Sequence, residues 1–255
     1  MTQLQRPHIA RLALEALVII FSILAAFALD RWWDARLAAR DERQVLEGLR
    51  SEFLEARAEL ETYRGFQERI RTSIRSTGAS LREARLQGST FAVVPDTVLG
   101  WAYISPTVRP SLGTLAGLLA SARLSIVRDP ELRYALAGWG GVFEELAEEE
   151  DESRVYVMSQ VDPVLRARVD VSPFRTIILR QADGTLTEDE LGGNTRLPAD
   201  SETIGVFAGR MFYLDHGIDE YQPVLEHIDR ILQLIDTSLE GAPTDGRVDG
   251  TSLEE

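Results

Sequence analysis

The chain has 255 residues, 41 acidic and 27 basic, for a formal net charge of −14; 44% are hydrophobic, three are His and none is Cys. No Lys occurs, which excludes phosphate-loop lysines, Schiff-base lysines and Ser-Lys nucleophile pairs, and the lack of Cys excludes thiol catalysis, disulfides and cysteine-ligated metals. The negative charge opposes phosphate backbones, so no nucleic-acid partner is expected, and a charged fraction of 27% is that of folded mass.

Past a polar tail at 1–8, Leu12 to Leu29 read LALEALVIIFSILAAFAL, broken only by Glu15. As a helix these residues rise about 27 Å, close to the hydrocarbon core of a bilayer. Trp32 and Trp33 follow as interfacial anchors, and Arg6, His8 and Arg11 form a polar flank. We expect a transmembrane anchor over 9–33, with the lipid bilayer as a partner. Cleavage after Ala28 in Ala26-Phe27-Ala28 is the competing reading. It is opposed by Glu15 inside the apolar run and by the absence of Pro or Gly before the helical pattern that follows.

Arg11, Glu15, Ser22, Ala26 and Asp30 share one helical stripe, and Ser22-x-x-x-Ala26 is a small-xxx-small spacing. This stripe is a candidate packing face for another membrane helix or a second copy; the alternative is that Glu15 only pairs with Arg11 and snorkels. Arg31, Arg36, Arg40 and Arg43 after the span outnumber Arg6 and Arg11 before it, which favours a cytoplasmic domain. Asp30, Asp34, Asp41 and Glu42 are interleaved with those arginines, and because a short N-terminus ahead of a single anchor commonly stays inside, the reading adopted is a bacterial inner-membrane protein with an exported, periplasmic domain.

No Pro occurs from Arg31 to Val94. Leu49, Phe53, Ala56, Leu60, Tyr63, Ile70, Ile74, Thr77, Leu81 and Ala84 alternate steps of three and four, with Gln67 alone breaking the seam. That heptad pattern predicts one long amphipathic, coiled-coil-like helix over 34–88, which Gly48, Gly65 and Gly78 could bend. Phe91 to Val94 reads as extended, Val98 to Tyr103 as a helical turn, and Ser111 to Ser121 as a helix with Leu112, Leu115, Leu118 and Leu119 inward. Gly113-x-x-x-Gly117 suggests close helix contact.

Asp129-Pro130-Glu131 is a capped helix start, followed by an inward face of Leu132, Leu136, Trp139, Phe143 and Leu146. Glu144, Glu145, Glu148, Glu149, Glu150, Asp151 and Glu152 then form an acidic run, a solvated face that could also dock a basic partner. Thr176 to Arg180 and Thr185 to Thr187 around Asp183-Gly184 suggest a small β-hairpin at 176–187. A last helical region spans Ser201 to Glu240, either continuous or interrupted near Gly217, and 241–255 reads as a disordered tail. The fold class is mainly α: an anchor running into a long helix and an antiparallel helical bundle over 89–240.

His216 lies among Asp215, Asp219 and Glu220, with His227 farther along, but none of these makes a Glu-x-x-His or His-Glu-x-x-His motif. No nucleophile elbow, dinucleotide fingerprint or phosphate loop is present. Neither catalytic, metal nor cofactor residues are assigned, and an enzyme is not expected.

The run Leu118-Leu119-Ala120-Ser121-Ala122-Arg123-Leu124-Ser125-Ile126-Val127, with Asp129, Glu131-Leu132-Arg133 and Leu136 after it and Leu29-Asp30-Arg31-Trp32-Trp33 before it, resembles an uncharacterised family of bacterial single-span membrane proteins. Ala122 stands where that family has Gly in a Leu-x-x-Ser-Gly-x-Leu-x-x-Ile turn. The resemblance implies a membrane location and a helical domain, and carries no activity. A membrane-anchored, non-enzymatic interaction or scaffold module is therefore the expectation, engaging a membrane or envelope protein or a second copy. The alternative is a ligand-sensing four-helix-type domain that signals through a membrane partner.

Overall fold

The computed structural model describes residues 6–174, 176 and 193–241, with side chains at Glu15 and from Leu17 onward. Helix α1 (Arg6–Leu86) is continuous for 81 residues. Strand β1 (Phe91–Pro95), α2 (Asp96–Tyr103) and α3 (Gly113–Ala120) follow. Then come a 3₁₀ turn (Leu124–Ile126), α4 (Pro130–Tyr156), a π-helical turn (Val157–Val161), α5 (Asp162–Arg166), strand β2 (Asn194–Pro198) and α6 (Ser201–Gly241). The structure is a helical bundle in which α6 packs against both α1 and α4, with a two-stranded antiparallel sheet at one end.

The heptad seam of α1 is its buried face. Leu49, Phe53, Leu60, Ile70, Ile74, Thr77 and Leu81 are all buried, and none of Gly48, Gly65 or Gly78 ends the helix. Salt and hydrogen bonds between α1 and α6 record an antiparallel register. Arg50 Nε meets Asp236 Oδ1 at 2.7 Å, Arg57 Nε meets Asp229 Oδ1 at 2.7 Å, and Arg64 Nη1 donates to Gln222 Oε1 at 3.1 Å. Arg71 Nη1 lies 3.9 Å from Asp215 Oδ1, and Arg85 Nη1 donates to Ser201 Oγ at 3.2 Å. Each heptad step up α1 is one heptad step down α6. The rungs are exposed, so they add little stability individually, but together they specify which turn faces which. The one rung without an arginine, between Arg71 and Arg85, sets Gly78 against Ala208.

α4 starts as its cap predicts: the Asp129 carboxylate accepts from Leu132 N at 2.9 Å, and Pro130 occupies the first helical position. Leu132, Leu136, Trp139 and Leu146 face the core, where Phe53 meets Trp139 edge-on at 5.3 Å. Two helices end in the same way. At the end of α1, Ser89 N donates to Ala84 O and Gly88 N to Arg85 O; at the end of α3, Arg123 N donates to Leu118 O and Ala122 N to Leu119 O. Both are Schellman closures, with the left-handed position filled by Gly88 (φ 73°) and by Ala122 (φ 54°). The turn that the family resemblance associates with Gly is thus made here with Ala.

Several expectations are corrected. α6 is unbroken at Gly217 and passes through Pro223, because Gly217, Ile218, Tyr221 and Val224 are all buried and packing holds the turn. Leu119 is 47% exposed, and a Cβ on Gly117 would meet nothing within 4 Å, so α3 makes no close glycine contact there. What positions α3 instead is Glu52 of α1, whose Oε1 accepts from Thr114 N at 2.7 Å and Thr114 Oγ1 at 2.8 Å. β1 does form, paired with β2 in the register Ala92↔Leu197. The hairpin expected at 176–187 and the tail past Gly241 lie outside the described residues.

The transmembrane anchor expected over 9–33 is not shown by the described residues. Among the described residues no helix is long and apolar enough to cross a membrane. The apolar run with described side chains is Leu17 to Leu29 and rises about 20 Å, short of a hydrocarbon core of about 30 Å. The remainder of the hydrophobic segment, Leu12 to Leu14 and Ala16, has no described side chains. Leu17 to Ala38 are exposed without exception, and Glu42 ties the helix to the bundle, its Oε1 accepting from Arg128 N at 2.6 Å.

Candidate functional site

The core divides into two apolar clusters along the bundle, one around Phe53, Trp139 and Ile228, the other around Ile74, Phe174 and Phe207. Between them lies a polar layer. Gln67, the residue that breaks the α1 seam, is buried, and its Nε2 donates to Pro106 O at 3.1 Å. Glu150 of α4 has a side chain only 1% exposed. It accepts from Val108 N at 2.9 Å, from Tyr221 OH at 2.5 Å and from Arg109 Nη1 at 3.0 Å. Burial still outweighs these donors and holds the Glu150 carboxyl above its ordinary value. Tyr221 is pushed up as well, by burial first and by the facing carboxylate second.

Farther along α6, between Phe207 and Leu214 of the second cluster, sits Arg210, fully buried. Its guanidinium donates to Ser153 Oγ and, at 3.0 Å, to Ile104 O, and its Nε has no partner. Burial pulls it down to about 10. Neighbouring Tyr156 donates its hydroxyl to Val206 O at 3.2 Å and lies across Gly209, where any Cβ would overlap the phenol. These groups tie α4, α6 and the 104–109 link together. A carboxylate as enclosed as Glu150 reaches no solute, so its chemistry is to fix the packing between the two clusters.

Neither Glu150 nor Arg210 stands out by residue type, and the missed signal is positional. Leu146, Glu150, Ser153 and Val157 follow one helical stripe, as do Thr203, Val206, Arg210 and Leu214. The acidic run is accordingly divided. Glu144, Glu145, Glu148 and Glu152 are exposed, Glu149 and Asp151 are half-buried, and Glu150 points inward, which removes it from the expected docking surface because the helix turns it onto the apolar stripe. Asp151 bridges Arg109 at 3.3 Å and Arg154 at 3.1 Å. Glu149 is held above its ordinary value by burial and by the charges of Glu152, Glu220 and Glu148, with His216 acting the other way. Among the described residues no group of His, Asp and Glu is arranged to hold a metal ion.

On the arm of α1, Glu15, Ser22, Ala26 and Asp30 are exposed, and Ser22 Oγ donates to its own helix at Val18 O, 2.8 Å away. The side chain of Arg11 lies outside the described residues. Trp32 and Trp33 are exposed, and the Arg36 guanidinium stands 5.4 Å over the Trp32 ring. Compared with protein families, with curated proteins and with solved structures, the chain matches none.

Proposed function

We propose that this protein is a membrane-anchored, non-enzymatic interaction module in which the arm of α1 enters a lipid bilayer and the bundle meets a membrane or envelope partner. The observation that carries this reading is the arm's surface. Leu17, Val18, Ile19, Ile20, Phe21, Ile23, Leu24, Phe27 and Leu29 are each at least half exposed, on every side of a helix that nothing in the described bundle covers. A helix apolar all round belongs inside protein or lipid, and an open apolar surface of this kind marks an interaction site. The run reaches spanning length, about 27 Å, only with Leu12 to Ala16 included. Trp32 and Trp33 sit where the apolar residues give way to charge, as indoles do at headgroups.

Within this reading the stripe of Arg11, Glu15, Ser22, Ala26 and Asp30 faces a second membrane helix, and Glu144, Glu145, Glu148 and Glu152 offer charge to a basic partner. The resemblance to single-span bacterial proteins supports an inner-membrane location, and the exported bundle is adopted against an arginine count that by itself favours the cytoplasm. Flotation of the full chain with phosphatidylcholine vesicles tests the anchor. The wild type should float and resist high salt, while Ile19→Arg with Leu24→Arg should stay at the bottom of the gradient. A wild type that remains soluble and monomeric beside vesicles overturns the reading.

A further inference from the structure

The interrupted arginine ladder leaves a cleft. Where Gly78 faces Ala208, no long side chain spans the rung, and a cavity of about 340 Å³ opens between α1 and α6. Its apolar wall is Ile74, Ile204, Phe207 and Met211. Arg75 and Arg82 flank it, one on either side of Gly78 in sequence. Every described rung arginine from Arg50 to Arg71 lies against an acid or amide, whereas Arg75 and Arg82 make no hydrogen bond or ion pair among the described residues. The cavity walls contain no carboxylate. In a chain of net charge −14, two uncommitted guanidiniums beside an apolar cleft form a local inversion of sign.

We propose that this cleft binds an amphiphilic carboxylate, its head held by Arg75 and Arg82 and its short acyl chain laid along Phe207 and Met211. The volume falls in the range of small-molecule sites, and the planar guanidinium fork suits a carboxylate. The Arg82 guanidinium lies over Gly78, its Nη1 3.4 Å from where a Cβ would stand, which places it at the edge of the cleft. The proposal is independent of membrane anchoring, because it uses only the bundle.

The chain has three Met, which makes methyl-labelled methionine a local reporter: Met211 lines the cleft and Met158 lies outside it. With the full chain in buffer, and in zwitterionic lipid nanodiscs if it inserts, octanoate should shift the Met211 methyl resonance saturably and leave Met158 unmoved; Met211→Leu assigns the signal. Arg75→Gln with Arg82→Gln, both exposed positions, should weaken the response at least tenfold. Ala208→Leu, which keeps both charges and occupies the rung, should abolish it. At equal concentration 1-octanol, which lacks the charge, and inorganic phosphate, which lacks the chain, should leave Met211 in place. An unmoved Met211 with octanoate, an undiminished shift in the double variant, or an equal response to octanol or phosphate overturns the proposal.

Discussion

Ala122→Gly should stabilise this protein, although replacing Ala by Gly ordinarily does the reverse. Ala122 closes α3 in the left-handed conformation at φ 54°, with its N–H bonded to Leu119 O at 3.2 Å and the next N–H bonded to Leu118 O at 3.0 Å. A Cβ in that region costs roughly 1–2 kcal/mol. Removing it gives Gly more freedom in the unfolded chain, which takes back roughly 0.4–1 kcal/mol. The net gain is about 0.5–1 kcal/mol, or roughly 1–4 °C in Tm for a chain of this size. Gly88 supplies the reciprocal experiment. It fills the same position at φ 73° with nothing within 4 Å of a Cβ, so Gly88→Ala tests backbone conformation alone and should lose a similar amount. Ala79→Gly, at an exposed mid-helix site in α1, should cost about 1 kcal/mol. Urea unfolding followed by helix ellipticity reads all three, with an unchanged m-value as the check that only stability moved. If Ala122→Gly loses stability as Ala79→Gly does, the left-handed assignment and the energetics built on it are wrong.

Two other perturbations address the polar layer. The folded state keeps the Glu150 proton in a pH range where the unfolded chain has released it, since burial raises this carboxyl from 4.5. The stability it contributes is therefore full below the unfolded value and declines as pH climbs through the raised folded value. Glu150→Gln has no such proton to lose and keeps hydrogen-bonding atoms near Tyr221 and Val108. Its urea midpoints between about pH 4 and about pH 7 should fall less steeply than those of the wild type, and parallel slopes would refute the assignment. Gly209→Ala should cost about 1–3 kcal/mol because the new methyl displaces the Tyr156 phenol. In a Tyr156→Ala background the same change should be neutral or favourable; additive losses in the double variant would remove Tyr156 as the cause.

What the chain reveals on inspection depends on how local the physics is. The Asp129-Pro130 start of α4 and the seam of α1 are legible because a cap and a heptad each act within a few residues. Gln67 was visible as a break in that seam, yet its partner Pro106 O lies thirty-nine residues away and has no counterpart in the pattern. The pairing of β1 with β2 is equally silent, since Asn194 to Pro198 carries little strand character and owes its extension to the partner across the ladder. Glu150 was hidden by company: six acids surround it in sequence, and only the stripe through Leu146 and Ser153 distinguishes the inward one. At Ala122 the backbone contradicts residue preference: the closure bonds from Ala122 N to Leu119 O and from Arg123 N to Leu118 O form around a left-handed Ala.

The unbroken course of α1 has a mechanical consequence. A helix without a joint turns rotation at one end into displacement at the other, and from Trp33 to Leu86 it extends about 80 Å. Tilting the arm by about 10° would sweep the sheet end of the bundle sideways by about 14 Å at that lever length. Whatever grips the arm thereby steers the cleft and the acidic surface together, as one rigid body on a single shaft.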